Sequence, residues 1–167
     1  KIENIFIFKH RIIDIMNPLT KKLMDVYILE KYSVISDVVG FLKTNDRNLK
    51  TLLAKLYVQS NNHKEFIEEL LRKYQLYNAN EVHLGYSKDL FKKKDFLEII
   101  LMLLEEEIHI LRSYTEILIY YNENEIKDII DDPKVFLEVI KTYIDQEINQ
   151  VKKLSDLVYD LKKGYGN

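Results

Sequence analysis

Glu107 stands in the middle of an apolar helical stripe, where a carboxylate is costly unless it is paired, protonated or bound to a metal. The stretch 103–121, LLEEEIHILRSYTEILIYY, places Leu103, Glu107, Ile110, Tyr114, Ile117 and Tyr121 on one side of a helix. Three other stretches have the same character, apolar at both ends and polar in the middle. Their polar positions are Glu30, Ser60 with His63, and Glu147 with Gln150. Carboxylates and an imidazole gathered in one core have two chemistries open to them. They bind a cation, or they satisfy one another as a buried hydrogen-bonded network.

The elements that must position these residues are legible from their start signals. Asn17-Pro18 is an N-cap residue followed by Pro at the first helical position, and it predicts a helix from Pro18 to about Lys43. Its inward stripe reads Leu19, Leu23, Val26, Glu30, Val34, Asp37 and Phe41, with Val38 beside Asp37. Thr44-Asn45-Asp46 is a short turn, and Asp46 caps a second helix running to about Leu76. The second stripe is Leu49, Leu52, Leu56, Ser60, His63, Ile67, Leu70 and Tyr74. So short a turn makes these two helices antiparallel neighbours. From Tyr77 to Lys94 the pattern breaks, and this stretch is long enough to cross from one end of a bundle to the other. Asp95 caps a third helix to about Tyr121. Asn122-Glu123-Asn124 reads as a turn, with one or two helical turns over Glu125 to Ile130. Asp132-Pro133 repeats the first start signal and opens a fourth helix to about Lys163. Its stripe is Phe136, Val139, Tyr143, Glu147, Gln150, Leu154, Leu157 and Leu161.

The heights agree. Glu30 lies thirteen positions before Lys43, Ser60 fourteen after Asp46, Glu107 fourteen before Tyr121 and Glu147 fourteen after Pro133. In each antiparallel hairpin the polar residues therefore meet at one level, roughly 20 Å from the turn. The expected fold is all-α, a four-helix bundle with one long crossover between helices two and three. Residues 1–16 are expected to be an apolar N-terminal extension, with Met16 a possible alternative start. Residues 17–163 would form the bundle and 164–167 a tail.

This arrangement resembles the ferritin-like di-iron carboxylate proteins, which place a Glu on the first and third helices and Glu-x-x-His on the second and fourth. Within that superfamily it is most similar to rubrerythrin-type bundles. LYVQSNNHKEFIEELL, Leu56 to Leu71, resembles their second helix around its ligand His. YIDQEINQVKKL, Tyr143 to Leu154, resembles their fourth, and Glu107 with Tyr114 has their Glu-x6-Tyr spacing. The resemblance implies Glu30, His63, Glu107 and Glu147 as metal ligands. Ser60 stands where the second-helix Glu belongs and Gln150 where the fourth-helix His belongs, so the ligand set is reduced. Ser60, Gln150, Tyr114 and Asp37 would support the ligands. Asp37 lies about 10 Å further along its helix, too far to coordinate the same ion.

Three carboxylates and one imidazole suit one iron, manganese or zinc ion. The resemblance thus implies one or two transition-metal ions and, if the site is active, redox chemistry on oxygen or peroxide. The rival expectation is a non-catalytic bundle with no metal, acting in structure or assembly, in which the same groups hydrogen-bond one another and Tyr114 ties its hydroxyl to a carboxylate.

Composition narrows the classes. Of 167 residues 47% are hydrophobic and 31% charged, with formal net charge -2 and interleaved signs, which gives no electrostatic case for nucleic acid or an anionic membrane. Cysteine is absent, excluding disulfides, thiolate sites and Cys nucleophiles; a cytoplasmic protein is expected. The apolar N-terminal extension and many tyrosines point to a homodimer. Glu106 and His109 form a literal Glu-x-x-His, yet they share a charged face with Glu105, Arg112 and Glu116 and are expected in solvent. His10 lies in the N-terminal extension and His83 in the crossover, and no phosphate-cradling glycine loop is present.

Overall fold

The structure is a computed structural model describing residues 17–73 and 95–164. The described residues are helical with no strand: α1 (Pro18–Lys43), α2 (Arg47–Lys73), α3 (Phe96–Tyr120), the single turn α4 (Glu123–Ile126) and α5 (Pro133–Gly164). The expectations for the N-terminal extension, the 77–94 connection, Tyr74, Leu76 and residues 165–167 lie outside the described residues.

The start signals act as the sequence predicts. Asn17 accepts the Leu19 N–H at 2.8 Å, with Pro18 in the first turn. Asp46 takes the N–H groups of Asn48 and Leu49 at 2.8 and 2.9 Å. Asp95 and Glu98 cap reciprocally, each carboxylate on the other's N–H at 2.8 Å. Asp132 accepts the Val135 N–H at 3.1 Å. Each cap satisfies helix N–H groups that have no partner within the helix. The stretch after α3 differs from the sequence reading. Asn122 is a cap and not a turn residue, so the short helix begins at Glu123, two residues early, and Ile126 and Ile130 fold into the core.

The pairings fix direction. Between α1 and α3 they run Lys22–Glu116, Glu30–Tyr114, Ser33–Glu107 and Ser36–Glu106, so the numbers fall on one helix as they rise on the other, and the two are antiparallel. Between α1 and α2, Glu30 meets His63 and Ser33 meets Ser60, again antiparallel. The closest backbone pairings are α1 with α2, α3 with α5, and α1 with α3. The facing sides of α2 and α5 are joined chiefly by side chains, with His63 reaching Tyr143, Gln146 and Glu147.

Apolar side chains collect into two clusters. One is built around Leu19, Leu23, Val26, Ile67, Ile110, Ile117 and Phe136; the other around Leu53, Leu56, Ile99, Ile100, Leu103 and Leu154. Burying each such side chain fully contributes about 1.5–3 kcal/mol. The polar residues sit between the two clusters.

In the second half of α1 the buried face is not the one the apolar pattern marks. Ser33, Ser36, Asp37 and Gly40 are buried, while Val38 and Phe41 are 42% and 37% exposed and Val34 is half-buried. Small residues win this face because α1 packs there against both α2 and α3. A Cβ on Gly40 would sit 3.4 Å from Leu53 Cδ1 and 3.6 Å from Ile99 Cγ2. In α2 the centre of the stripe likewise passes through Leu53 and Leu71, with Leu52 and Leu70 half-buried.

Candidate metal centre

Glu30, His63, Glu107 and Glu147 are all buried, at 0%, 1%, 0% and 0% exposure. Three of them converge. One ligand atom each from Glu30, His63 and Glu147 lie within 4.8 Å of one another. His63 Nδ1 is 3.2 Å from Glu30 Oε1 and 2.9 Å from Glu147 Oε1. Three different helices supply this group, so it exists only when α1, α2 and α5 are packed.

The ring of His63 is fixed on its far side. Its Nε2 lies 2.6 Å from Gln146 Oε1, and Tyr143 stacks on it with centroids 3.9 Å apart at a tilt of 32°. The amide oxygen can only accept, so Nε2 carries a proton. Nδ1 is left to face the two carboxylates. Tyr114 donates its hydroxyl to Glu30 Oε1 at 2.8 Å, and Gln150 donates its amide to Glu147 Oε1 at 3.2 Å.

Glu107 stands beside this group. Ser33 donates to its Oε1, and its other contact is Glu147. Ser60 does not reach Glu147; it bonds Ser33 at 3.3 Å. Gln146 and Ser33 take part without having stood out in the sequence. Gln146 is on the shoulder of its stripe, next to Glu147. Ser33 does have a signal, being three residues after Glu30 and hence on the same face.

Electrostatics in this layer follow from burial. Burial raises the carboxyl of Glu30, and the hydrogen bond and charge of His63 oppose it. Burial also raises Glu147, against hydrogen bonds from His63 and Glu107. Glu107 is pushed well above the carboxylate range by burial and the neighbouring Glu147 charge. Burial pulls His63 down, but its hydrogen bonds to Glu147 and Glu30 prevail and hold it up at about 10. Without metal the layer therefore keeps extra protons, with His63 an imidazolium and Glu107 a carboxylic acid.

These protons do not satisfy every oxygen. Apart from the contact that a protonated Glu107 makes with Glu147, Oε2 of Glu30 and Glu106, both Oδ atoms of Asp37 and Oε1 of Gln150 are buried with no hydrogen-bond partner. Each such atom costs about 1–3 kcal/mol and more when charged, against a total stability of about 5–15 kcal/mol for a typical domain. A divalent cation in place of the Nδ1 proton fits the three converging atoms, and two carboxylates match its charge. One nitrogen with carboxylate oxygens suits iron, manganese or zinc. The converging group contains a single histidine, His63.

Asp37 is fully buried, seven residues beyond Glu30 and outside the converging group. The expectation for the Glu106–His109 pair is corrected in part. His109 is exposed, whereas Glu106 is turned toward α1, accepts from Ser36 at 3.1 Å and is raised by burial to about 7. The cause is the row of small residues on α1, which leaves room for a carboxylate between the helices.

Comparison of the chain with protein-family models, with curated proteins and with solved structures finds no match in any of the three. No helix among the described residues is long and apolar enough to cross a membrane.

Proposed function

We propose that the protein is a ferritin-like, rubrerythrin-related four-helix bundle with a crossover between its second and third long helices. In this reading it holds one transition-metal ion on His63, Glu30 and Glu147, with Glu107 alongside, and acts as an oxidoreductase on oxygen or peroxide. The observation that supports this most is the convergence of His63 Nδ1 with one oxygen each of Glu30 and Glu147, while Gln146 holds Nε2.

A redox-active ion in this place would supply electron transfer to a small oxidant. The chain's own residues supply the rest. Gln146 and Tyr143 keep Nδ1 directed at the carboxylates. Tyr114 orients Glu30, and Gln150 orients Glu147. Glu107 holds a proton at its carboxyl next to Glu147, ready for a basic product oxygen. The two apolar clusters above and below exclude bulk water, which strengthens each of these interactions.

Metal content after reconstitution with iron or manganese tests the reading. Close to one equivalent is expected, falling below about a tenth in His63→Gln. Wild-type protein that retains less than a tenth of an equivalent would end it.

A second reading has its own support. The His63 imidazolium already satisfies one oxygen of each of two carboxylates, as a network without metal would. The protein would then be a non-catalytic bundle acting in assembly. Exposed Val38, Phe41 and Leu42 near the end of α1 and Tyr57 and Val58 on α2 favour a homodimer under either reading.

A further inference from the structure

Leu101, Leu104, Ile108, Leu111, Thr115 and Leu118 recur on α3 at alternating steps of three and four residues, the spacing of a helix that packs along a partner helix. This row is not the core face of α3, which runs through Leu103, Glu107, Ile110, Tyr114 and Ile117. Leu101 and Ile108 are 37% and 47% exposed, and the other four are half-buried. Leu111 belongs to neither apolar cluster. The row is about 25 Å long at 1.5 Å per residue.

The neighbouring helix α5 widens this surface. Glu107 is in contact with Glu147, and the rings of Tyr114 and Tyr143 lie 5.6 Å apart, so α3 and α5 run antiparallel. Ile108 and Ile148 each stand one residue past the first contact, at one level, and Ile148 is 51% exposed. Single exposed apolar residues need no partner, but a continuous row of them marks an interaction surface. The polar edge of the row says which partner fits. Glu105 and Arg112 follow Leu104 and Leu111 by one residue each, so they hold equivalent places along one edge, both exposed and opposite in sign. The bond from Arg112 to Glu116 of its own helix, at 3.0 Å, is an exposed pair that holds it weakly. A row edged by one acid and one base in this way is self-complementary when turned end for end.

We propose that a second copy of this chain docks along the row, α3 against α3, in antiparallel two-fold packing. In that register Ile108 of each copy packs on Leu111 of the other, Leu104 on Thr115 and Leu101 on Leu118. Glu105 of each copy meets Arg112 of the other, so every contact occurs twice. The inference rests on the homodimer reading given above, chooses its face, and is independent of any metal. The pairing order α2–α1–α3–α5 puts the exposed side chains of α1 and α2 on another side of the bundle. There the groove beside Phe41 and Val58 is lined by Arg47, Lys50, Lys55 and Lys153, with no carboxylate among its described residues. Two copies meeting at that groove would set cation on cation, which is unfavourable.

Sedimentation velocity of the full chain at micromolar concentration, with helix content read by circular dichroism, tests it. Wild type is expected as a dimer and Ile108→Glu as a monomer of unchanged helix content. Arg112→Glu sets acid against acid twice and should weaken the dimer by about tenfold or more, as should Glu105→Arg with its two facing cations. The double variant, Glu105→Arg with Arg112→Glu, restores both pairs and should return the dimer to near wild-type strength. Val58→Asp, on α2, should leave the dimer unchanged. A dimer that survives Ile108→Glu, or a double variant no tighter than the single ones, overturns the proposal. Should Ile108→Glu lose helix content, the charge exchange decides in its place. A monomeric wild type ends the homodimer reading and this seam with it. A dimer broken by Val58→Asp and not by Ile108→Glu overturns the seam alone.

Discussion

Gln146 accepts the Nε2 proton of His63 at 2.6 Å, and this one hydrogen bond decides which nitrogen of the ring faces the carboxylates. Without it the imidazole could turn or change tautomer, and Nδ1 would no longer be presented to Glu30 and Glu147. Gln146→Leu is therefore expected to weaken metal binding by about 10–100-fold while leaving the helix content unchanged. Gln146→Glu keeps an acceptor and should retain most of the affinity. Dissociation constants from competition with a coloured chelator would show it, and equal affinity in Gln146→Leu would remove Gln146 from the site.

The stability of the metal-free protein should fall as pH rises. His63 is raised from 6.5 to about 10, and Glu30, Glu107, Glu147 and Asp37 are all raised above their ordinary values by burial. A group with a raised folded-state pKa contributes fully below its unfolded value and loses that contribution as pH climbs through the folded one. The window thus opens near the ordinary carboxylate range and closes near about 10. Thermal melts without metal should give a Tm that declines from about pH 5 to about pH 9, each kcal/mol being worth about 2–4 °C at this size. Metal binding requires the deprotonated ligands, so stabilisation by metal should grow over the same range. A metal-free Tm that climbs from pH 5 to 8 would contradict the proton inventory of the core.

Glu107→Gln separates burial cost from function. The substitution keeps the shape and the hydrogen bond from Ser33, and it spares the cost of protonating a carboxyl that is ionised in the unfolded chain but held neutral by burial and Glu147 in the folded one. About 1 kcal/mol of added stability is expected near pH 8 without metal. Below about pH 4 the difference should vanish, because the glutamate is then protonated in both folded and unfolded chains. Denaturant titrations at the two pH values measure it.

Gly40 tests the packing of α1. A methyl group there meets Leu53 and Ile99 at ordinary contact distance, so Gly40→Ala should stabilise by about 0.5–1 kcal/mol through helix propensity. Gly40→Leu should destabilise by about 1–3 kcal/mol through overpacking. Urea unfolding of both variants gives the comparison. If leucine is tolerated as well as alanine, α1 and its neighbours are not closely packed at this level.

Much of this was legible in the residues, for identifiable reasons. Caps and prolines are local signals, so Asn17, Asp46, Asp95 and Asp132 mark helix starts that the structure reproduces. The burial of Glu30, His63, Glu107 and Glu147 followed from period and height, which survive packing. What the pattern did not reveal lies where packing overrides hydrophobicity. Ser33, Ser36 and Gly40 are buried and Phe41 is exposed because two helices press on α1 there, and small residues allow the approach. The same crowding turned Glu106 inward, against the charged face on which its neighbours Glu105 and His109 lie. Gln146 was hidden for another reason. Its role depends on which way the ring of His63 turns, and no spacing along α5 encodes that.

The sides of α2 and α5 that face each other are bridged by the side chains of His63, Tyr143, Gln146 and Glu147, while the pairs α1–α2, α1–α3 and α3–α5 rest on close backbone packing. Parting these two helices breaks a few polar contacts and one ring stack, and it leaves the tightly packed α1–α3 face undisturbed. Local opening of this kind costs less than global unfolding. If the His63 group holds an ion as proposed, the rate of its entry and exit is set by the breathing of one side of the molecule. Exchange would then run faster than unfolding, and the half-life of a loaded centre would be a property of the α2–α5 contact more than of the ligands themselves.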